Sequence, residues 1–131
     1  MNNIINFLKR FFFILFILII PNYNSAKEIL IYADSISYDE NENIIARGNA
    51  KIFQMNKLIY SDLIIYNQKD DKIILPSKFN FKDQNNNFFQ GENGFFKTNL
   101  NFAEFENPKI RLNDGSRIIG KKIKRDGDID I

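Results

Sequence analysis

A chain of 131 residues with 44% apolar side chains is long enough for one domain of ordinary size and a core to hold it. With neither Cys nor His, it lacks the groups for Cys/His zinc sites, thiol nucleophiles, disulfides, haem ligation and His general-base chemistry. The formal charge of +2 belongs to Lys9 and Arg10; residues 27–131 carry 16 basic and 16 acidic side chains, without the net basicity of a nucleic-acid binder, so no nucleic-acid partner is expected.

Residues 1–26 read as an export signal. Lys9 and Arg10 precede an apolar run over residues 11–20, Pro21 breaks it, and small or polar residues follow to Ser25-Ala26. The run falls short of the roughly 20 residues that span a bilayer. Cleavage after Ala26 is one outcome. An uncleaved anchor that includes residues 4–8 is the other, because Asn24 suits a cleavage site poorly.

Residues 27–33 open the folded part as a short strand with Ile29, Ile31 and Ala33 on one face. Beyond Asp34 the apolar positions become Ile36 and Tyr38. That parity change predicts a bulge or corner where the chain turns between sheets. The polar run 40–43 makes a turn, and Ile44, Ala46, Gly48, Ala50 and Ile52 then alternate with Arg47, Asn49 and Lys51. A period of two over that length is a strand between an apolar interior and water.

The stretch ADSISYDENENIIARGNAKIF, residues 33–53, recurs. Asp34 falls on Asp62 and Tyr38 on Tyr66, a step of 28 residues, and one added residue sets Ile44-Ile45-Ala46 on Ile73-Ile74-Leu75 and Ile52 on Phe81. Weaker copies begin near Gly91, with Phe96 in the tyrosine position, and at Gly120, with Ile123. Repeats of this length indicate stacked β-hairpins, each too small to close a core alone. Asp34 and Asp62 could be a carboxylate pair for acid/base work or metal binding. Their recurrence at the repeat spacing favours a corner-capping role, with each carboxylate accepting from backbone N–H groups freed at the bend.

Pro76 stands where Arg47 stood, which predicts an edge or a break. The segment KDQNNN, residues 82–87, reads as a polar, mobile hairpin tip. Phe88, Phe89, Phe95, Phe96, Phe102 and Phe105 crowd into 18 residues, more aromatic volume than a thin sandwich needs. Asn107-Pro108 should end one strand, and Asn113-Asp114-Gly115 is a hairpin turn. The basic run RIIGKKIKR, residues 117–125, reads as a solvated strand face. The last residues stop within a unit, as if a further strand should follow.

The paired patterns A-D-x-I-x-Y-D and I-I-A-x-G-N-A-x-I resemble the OstA-like repeat of the lipopolysaccharide-transport proteins. That family includes the periplasmic bridge protein LptA and the N-terminal periplasmic domain of the outer-membrane assembly protein LptD. The resemblance rests on Ala33, Asp34, Tyr38, Gly48, Asn49, Ala50 and Ile52, with Ser61, Asp62 and Tyr66 in the second copy. Residues 110–120 are similar to the last part of the LptD domain, although no outer-membrane barrel follows in this sequence.

The implied fold is an all-β antiparallel jellyroll of two facing sheets, open on one side like a taco, over residues 27–131. The implied function is to hold the lipid A acyl chains of lipopolysaccharide in an apolar groove and pass them across the periplasm toward the outer membrane. Groove candidates are Ile36, Tyr38, Ile52, Ile64, Tyr66, Phe79, Phe81 and Phe96, although a groove lining and a core share one period. Other domains of the same kind would join by strand addition, at Ile29 and Ile31 on one end and Ile118 and Ile123 on the other.

No cofactor, metal or catalysis is expected. The acids and bases lie on outward positions or in turns and do not converge, and no phosphate-binding loop of the G-x-x-x-x-G-K-[ST] kind is present. A structural β-solenoid or exported scaffold with a sealed interior is the competing reading, and an exported glycan lyase a third. The sealed or open state of the interior separates the first two.

Overall fold

The structure, a computed structural model, describes residues 28–127; the expected export signal lies outside them. Nine strands follow in order: β1 (Leu30–Tyr32), β2 (Ser35–Tyr38), β3 (Ile44–Gln54), β4 (Lys57–Asn67), β5 (Lys72–Lys82), β6 (Phe88–Lys97), β7 (Phe102–Arg111), β8 (Arg117–Ile119) and β9 (Lys122–Asp126). All pairings are antiparallel between neighbours, β3 through β7 forming a meander. β1 and β2 lie end to end along β3, and β8 and β9 lie end to end along β7.

The five long strands bend at mid-length. Register shifts fall at Arg47/Ala50, Ser61/Ile65, Leu75/Lys78 and between Gln90 and Phe95. Side by side, these breaks make one crease that folds the sheet into two facing leaves. The first leaf holds β2, β9 and the adjoining halves of β3 to β7; the second holds β1, β8 and the other halves. Pro76 sits exposed at the β5 break, which settles its reading as a break in a central strand. Asn107-Pro108 marks the crease within β7, and the strand bends there without ending.

The crease is held by backbone groups in unusual conformations. Gly48 and Asn49 take φ of 78° and 46°, and Gly48 carbonyl accepts from Asp34 N–H at 2.9 Å. A Cβ on Gly48 would lie 2.7 Å from Asp34 Oδ2, so this position admits only glycine. At the opposite end of the sheet, Asn107 N–H donates to Lys121 carbonyl at 2.8 Å, the matching turn of β8 into β9.

Three of the hairpin turns share one design. In 39–43, 83–87 and 112–116 the first residue's N–H donates to the carbonyl four residues on, and the fourth residue's N–H donates back to the first carbonyl. The fourth residue, Glu42, Asn86 or Gly115, is left-handed with φ of 61°, 62° or 90°. This is a three-residue loop closed by a bulge. Asp39 and Asp83 each wrap the turn, accepting from the backbone N–H and side-chain amide of Asn43 and Asn87 respectively.

Between the leaves lies the core: Ile52, Ile59, Phe81, Phe89 and Ile110 from the second leaf against Ile64, Ile73, Leu75, Phe96, Ala103 and Phe105 from the first, with Phe79 next to the crease. The phenylalanine crowd divides by parity. Phe89, Phe96 and Phe105 point inward, while Phe88, Phe95 and Phe102 point outward under cations, with Arg111 and Lys72 each 4.7 Å from a ring centre and Lys124 at 5.8 Å. No described helix is long and apolar enough to cross a membrane.

Candidate functional site

Cross-strand partners share a face, so the register assigns every inward position. In the first leaf one inward row runs Tyr38, Ile44, Tyr66, Ile73, Phe96, Ala103 and Arg125. In the second leaf the corresponding row runs Ile31, Ile52, Ile59, Phe81, Phe89, Ile110 and Ile118. The trough between the leaves thus runs across the strands, from the β1/β2 edge to the β8/β9 edge.

Its middle is filled. Phe96 packs against Phe81 at 4.9 Å and Phe79 at 5.7 Å between ring centres, and Phe105 packs against Phe79 at 5.0 Å. Ile52, Ile64, Phe79, Phe81 and Phe96, proposed from sequence as groove lining, are each at most 3% exposed. The slot expected to stay accessible along its length is therefore occupied at mid-trough by interlocked aromatic rings.

Its ends are different. Ile36 and Tyr38 lie on the same inner face as Ala46 and Ile44 but are 50% and 74% exposed, and Ile118, opposite Ile110, is 48% exposed. Tyr66 is half-buried between the two regimes. Apolar inner face is thus uncovered at both mouths of the trough.

The side facing away from the crease, where the two rows of hairpin turns approach, is bridged by polar groups. Gln54, Lys57, Asp83 and Asn87 on the rim of the second leaf are all buried. Lys57 Nζ donates to Asn101 Oδ1 of the first leaf's rim at 2.8 Å. Arg125 of β9 reaches over to Asp83 at 3.9 Å, its guanidinium 5.4 Å from the Phe89 ring centre and 5.8 Å from that of Phe81. Charged groups are seldom this buried unless paired. The bridges span the open side that the sequence reading left clear.

Two expectations need correction here. The segment 82–87 is a hairpin tip exposed at Gln84 and Asn86, but Asp83 and Asn87 at its base are 1% and 0% exposed and Asn87 Oδ1 also accepts from Asn113 N–H at 2.9 Å. Run 117–125 is not one solvated face: Arg117 faces out on the second leaf, Lys122 and Lys124 face out on the first, and Arg125 is buried inside.

At the crease, Asp34 accepts from the Asn49 amide at 3.0 Å, and Asn49 in turn accepts from Tyr60 hydroxyl at 3.0 Å. Asp62 is exposed, and its corner is held by Ser61, whose hydroxyl donates to Lys78 carbonyl at 2.8 Å. The two aspartates are thus not equivalent in their surroundings. Among the described residues no three acids, His or Cys come together as a metal site.

β1, β2, β8 and β9 each have a single strand partner, so each leaves one backbone edge unpaired at an end of the trough. Ile29, Ile31 and Ile123 themselves point inward and pack against the core; what these strands offer a partner is main chain.

Superposition on a solved structure bears out the architecture. The chain aligns with LptH, the LptA-homologous periplasmic component of the lipopolysaccharide transport device from Pseudomonas aeruginosa, at TM-score 0.66 over 78% of this chain and 79% of that one. The chain has the LptA-like jellyroll fold. Sequence identity is 16%, so the likeness is one of fold. No protein-family model and no curated sequence matches the chain. In the jellyroll's terms the crease is the fold line of the taco, and the Lys57 and Arg125 bridges lie across its lips.

Proposed function

We propose that this protein is a periplasmic component of lipopolysaccharide transport that carries acyl chains between its leaves. The observation supporting this most is a creased antiparallel sheet shared with LptH over most of both chains, with apolar inner face left uncovered at each mouth by Ile36, Tyr38 and Ile118. Acyl chains would enter at a mouth, where burying each Å² of apolar surface is worth about 25 cal/mol. Passage through the middle requires Phe79, Phe81, Phe96 and Phe105 to part. Other jellyroll domains would extend the sheet at the four unpaired edges.

A photocrosslinking amino acid at Tyr38 or Ile118 should give lipopolysaccharide adducts in cells, and one at Glu106, exposed on the outward first leaf, should not. An adduct at Phe79 would show that the centre opens. Folded variants that yield no adduct at any inward position would refute lipid carriage and leave the second reading, an exported structural scaffold. That reading is favoured by one specific observation, the interlocked rings at mid-trough.

A further inference from the structure

The outward face of the second leaf differs from the rest of the surface. Lys51, Lys82, Lys109, Arg111 and Arg117 all project from it, at positions flanking the inward row by one residue. No acid stands in the two cross-strand rows they occupy, which run from Leu30 to Arg117 and from Tyr32 to Ile119. Acids appear only at the border, at Asp34, Asp62 and Glu92 by the crease and at Glu28 and Asp114 by the rim. On the first leaf's outward face, by contrast, Lys122 and Lys124 stand opposite Glu106 and Glu104, with Lys122 ion-paired to Glu104 at 3.0 Å.

Exposed apolar groups are distributed in the same way. Of the eight large hydrophobic side chains exposed among the described residues, Ile36, Tyr38 and Ile118 belong to the mouths of the trough. Leu30, Tyr32, Phe88 and Ile119 all lie on the outward second leaf, and Met55 sits at its rim. None lies on the outward first leaf. Phe88 stands between Lys82 and Arg111, 5.6 Å and 4.7 Å from its ring centre, beside a hollow of about 570 Å³ that Lys109, Arg117 and Ile119 also line.

A chain whose folded part is nearly neutral thus carries on one leaf five cations in rows free of acids, beside its most exposed outward apolar groups. Cations interleaved with exposed aromatic and aliphatic side chains fit a phosphate-bearing lipid surface, where ammonium and guanidinium groups meet phosphates and the rings settle at headgroup depth. We infer that the second leaf docks the protein, outward face down, on an anionic phospholipid bilayer, the trough lying along the membrane plane. An acidic protein would satisfy the charge but leave Leu30, Tyr32, Phe88 and Ile119 without a specific reason to cluster.

The test is co-sedimentation of the full chain with phosphatidylglycerol and phosphatidylcholine vesicles free of lipopolysaccharide. Any partitioning by the apolar run at residues 11–20 is common to all variants, so the readout is the ratio of the two affinities. Removing three cations with K82Q, R111Q and R117Q should lower phosphatidylglycerol binding on the order of 100-fold, at about fivefold per charge. The same charge change on the other leaf, K72Q, K97Q and K124Q, should lower it less than about fivefold. Equal effects of the two sets, no preference for phosphatidylglycerol, or tighter binding of poly-glutamate than of vesicles to the same residues would each overturn the inference. Because the vesicles lack lipopolysaccharide, the result is independent of whether the trough carries lipid.

Discussion

Phe96 decides between a groove and a core. Its ring is fully buried and contacts Phe79, Phe81 and Phe105 with centres 4.9 to 6.1 Å away. Phe96→Ala removes a large transfer energy and leaves a cavity, together about 3–5 kcal/mol in packed interiors, with part of that from edge-on aromatic contacts worth roughly 0.5–1.5 kcal/mol each. For a domain of this size a urea slope of about 1 kcal/mol/M is expected, so the midpoint should fall by roughly 3 M or more. Tyr38→Ala, at a position 74% exposed on the same inner row, should change stability by no more than about 0.5 kcal/mol. Urea unfolding followed by far-UV circular dichroism measures both, with Phe96→Leu as the milder substitution if Phe96→Ala does not fold. A loss below about 1 kcal/mol for Phe96→Ala would mean that the rings line an open passage, and the description of a closed centre would be wrong.

Gly94→Ala should be among the most destabilising single changes, since its Cβ would fall on the Glu104 carbonyl oxygen and Phe105 Cβ; overpacking of this kind costs about 1–3 kcal/mol or more, read as a lowered melting temperature. Asp83→Ala removes the acceptor of Asn85 and Asn87 N–H groups and the acid facing Arg125 and should cost about 3–5 kcal/mol. The double variant with Arg125→Met should recover part of that, and a strictly additive cycle would show that the two side chains do not interact. Asp39 is held below the ordinary carboxylate value of 3.8, first by the Asn43 side-chain amide and then by the Asn43 N–H, and Asp114 likewise by the Ser116 N–H. A depressed acid stabilises the fold above its unfolded value and loses that contribution as pH falls through the folded one, so NMR titration should place both midpoints below 3.8 and turns 39–43 and 112–116 should loosen only in stronger acid.

Much of the fold is legible in the sequence because its signals are local. The parity change at Asp34 is the junction of β1 with β2, and alternation through Ala46 and Ile52 is β3. Open or closed is not legible, because Ile52 and Phe81 in a core, and Tyr38 at a mouth, occupy the same alternate positions; what differs is whether the opposite leaf covers them. Within residues 82–87 hydrophilic composition matches exposure at Gln84 and Asn86 but not at Asp83 and Asn87. Asp83 and Asn87 are buried because they satisfy each other and the turn's own N–H groups, a pairing at a separation of four residues that already appears in Asp39 and Asn43. Run 117–125 misled similarly: the turn at Gly120 reverses parity in the middle of it, and Arg125 is carried inside.

Because every long hairpin crosses the crease, each one supplies wall to both leaves at once. Adding or removing one hairpin would lengthen or shorten the trough by about 9.5 Å, twice the strand spacing, while leaving its width, set by the half-strands on either side of the bend, unaltered. Reach and bore are consequently separate variables in this architecture, one set by the number of hairpins and the other by the number of residues between bend and turn.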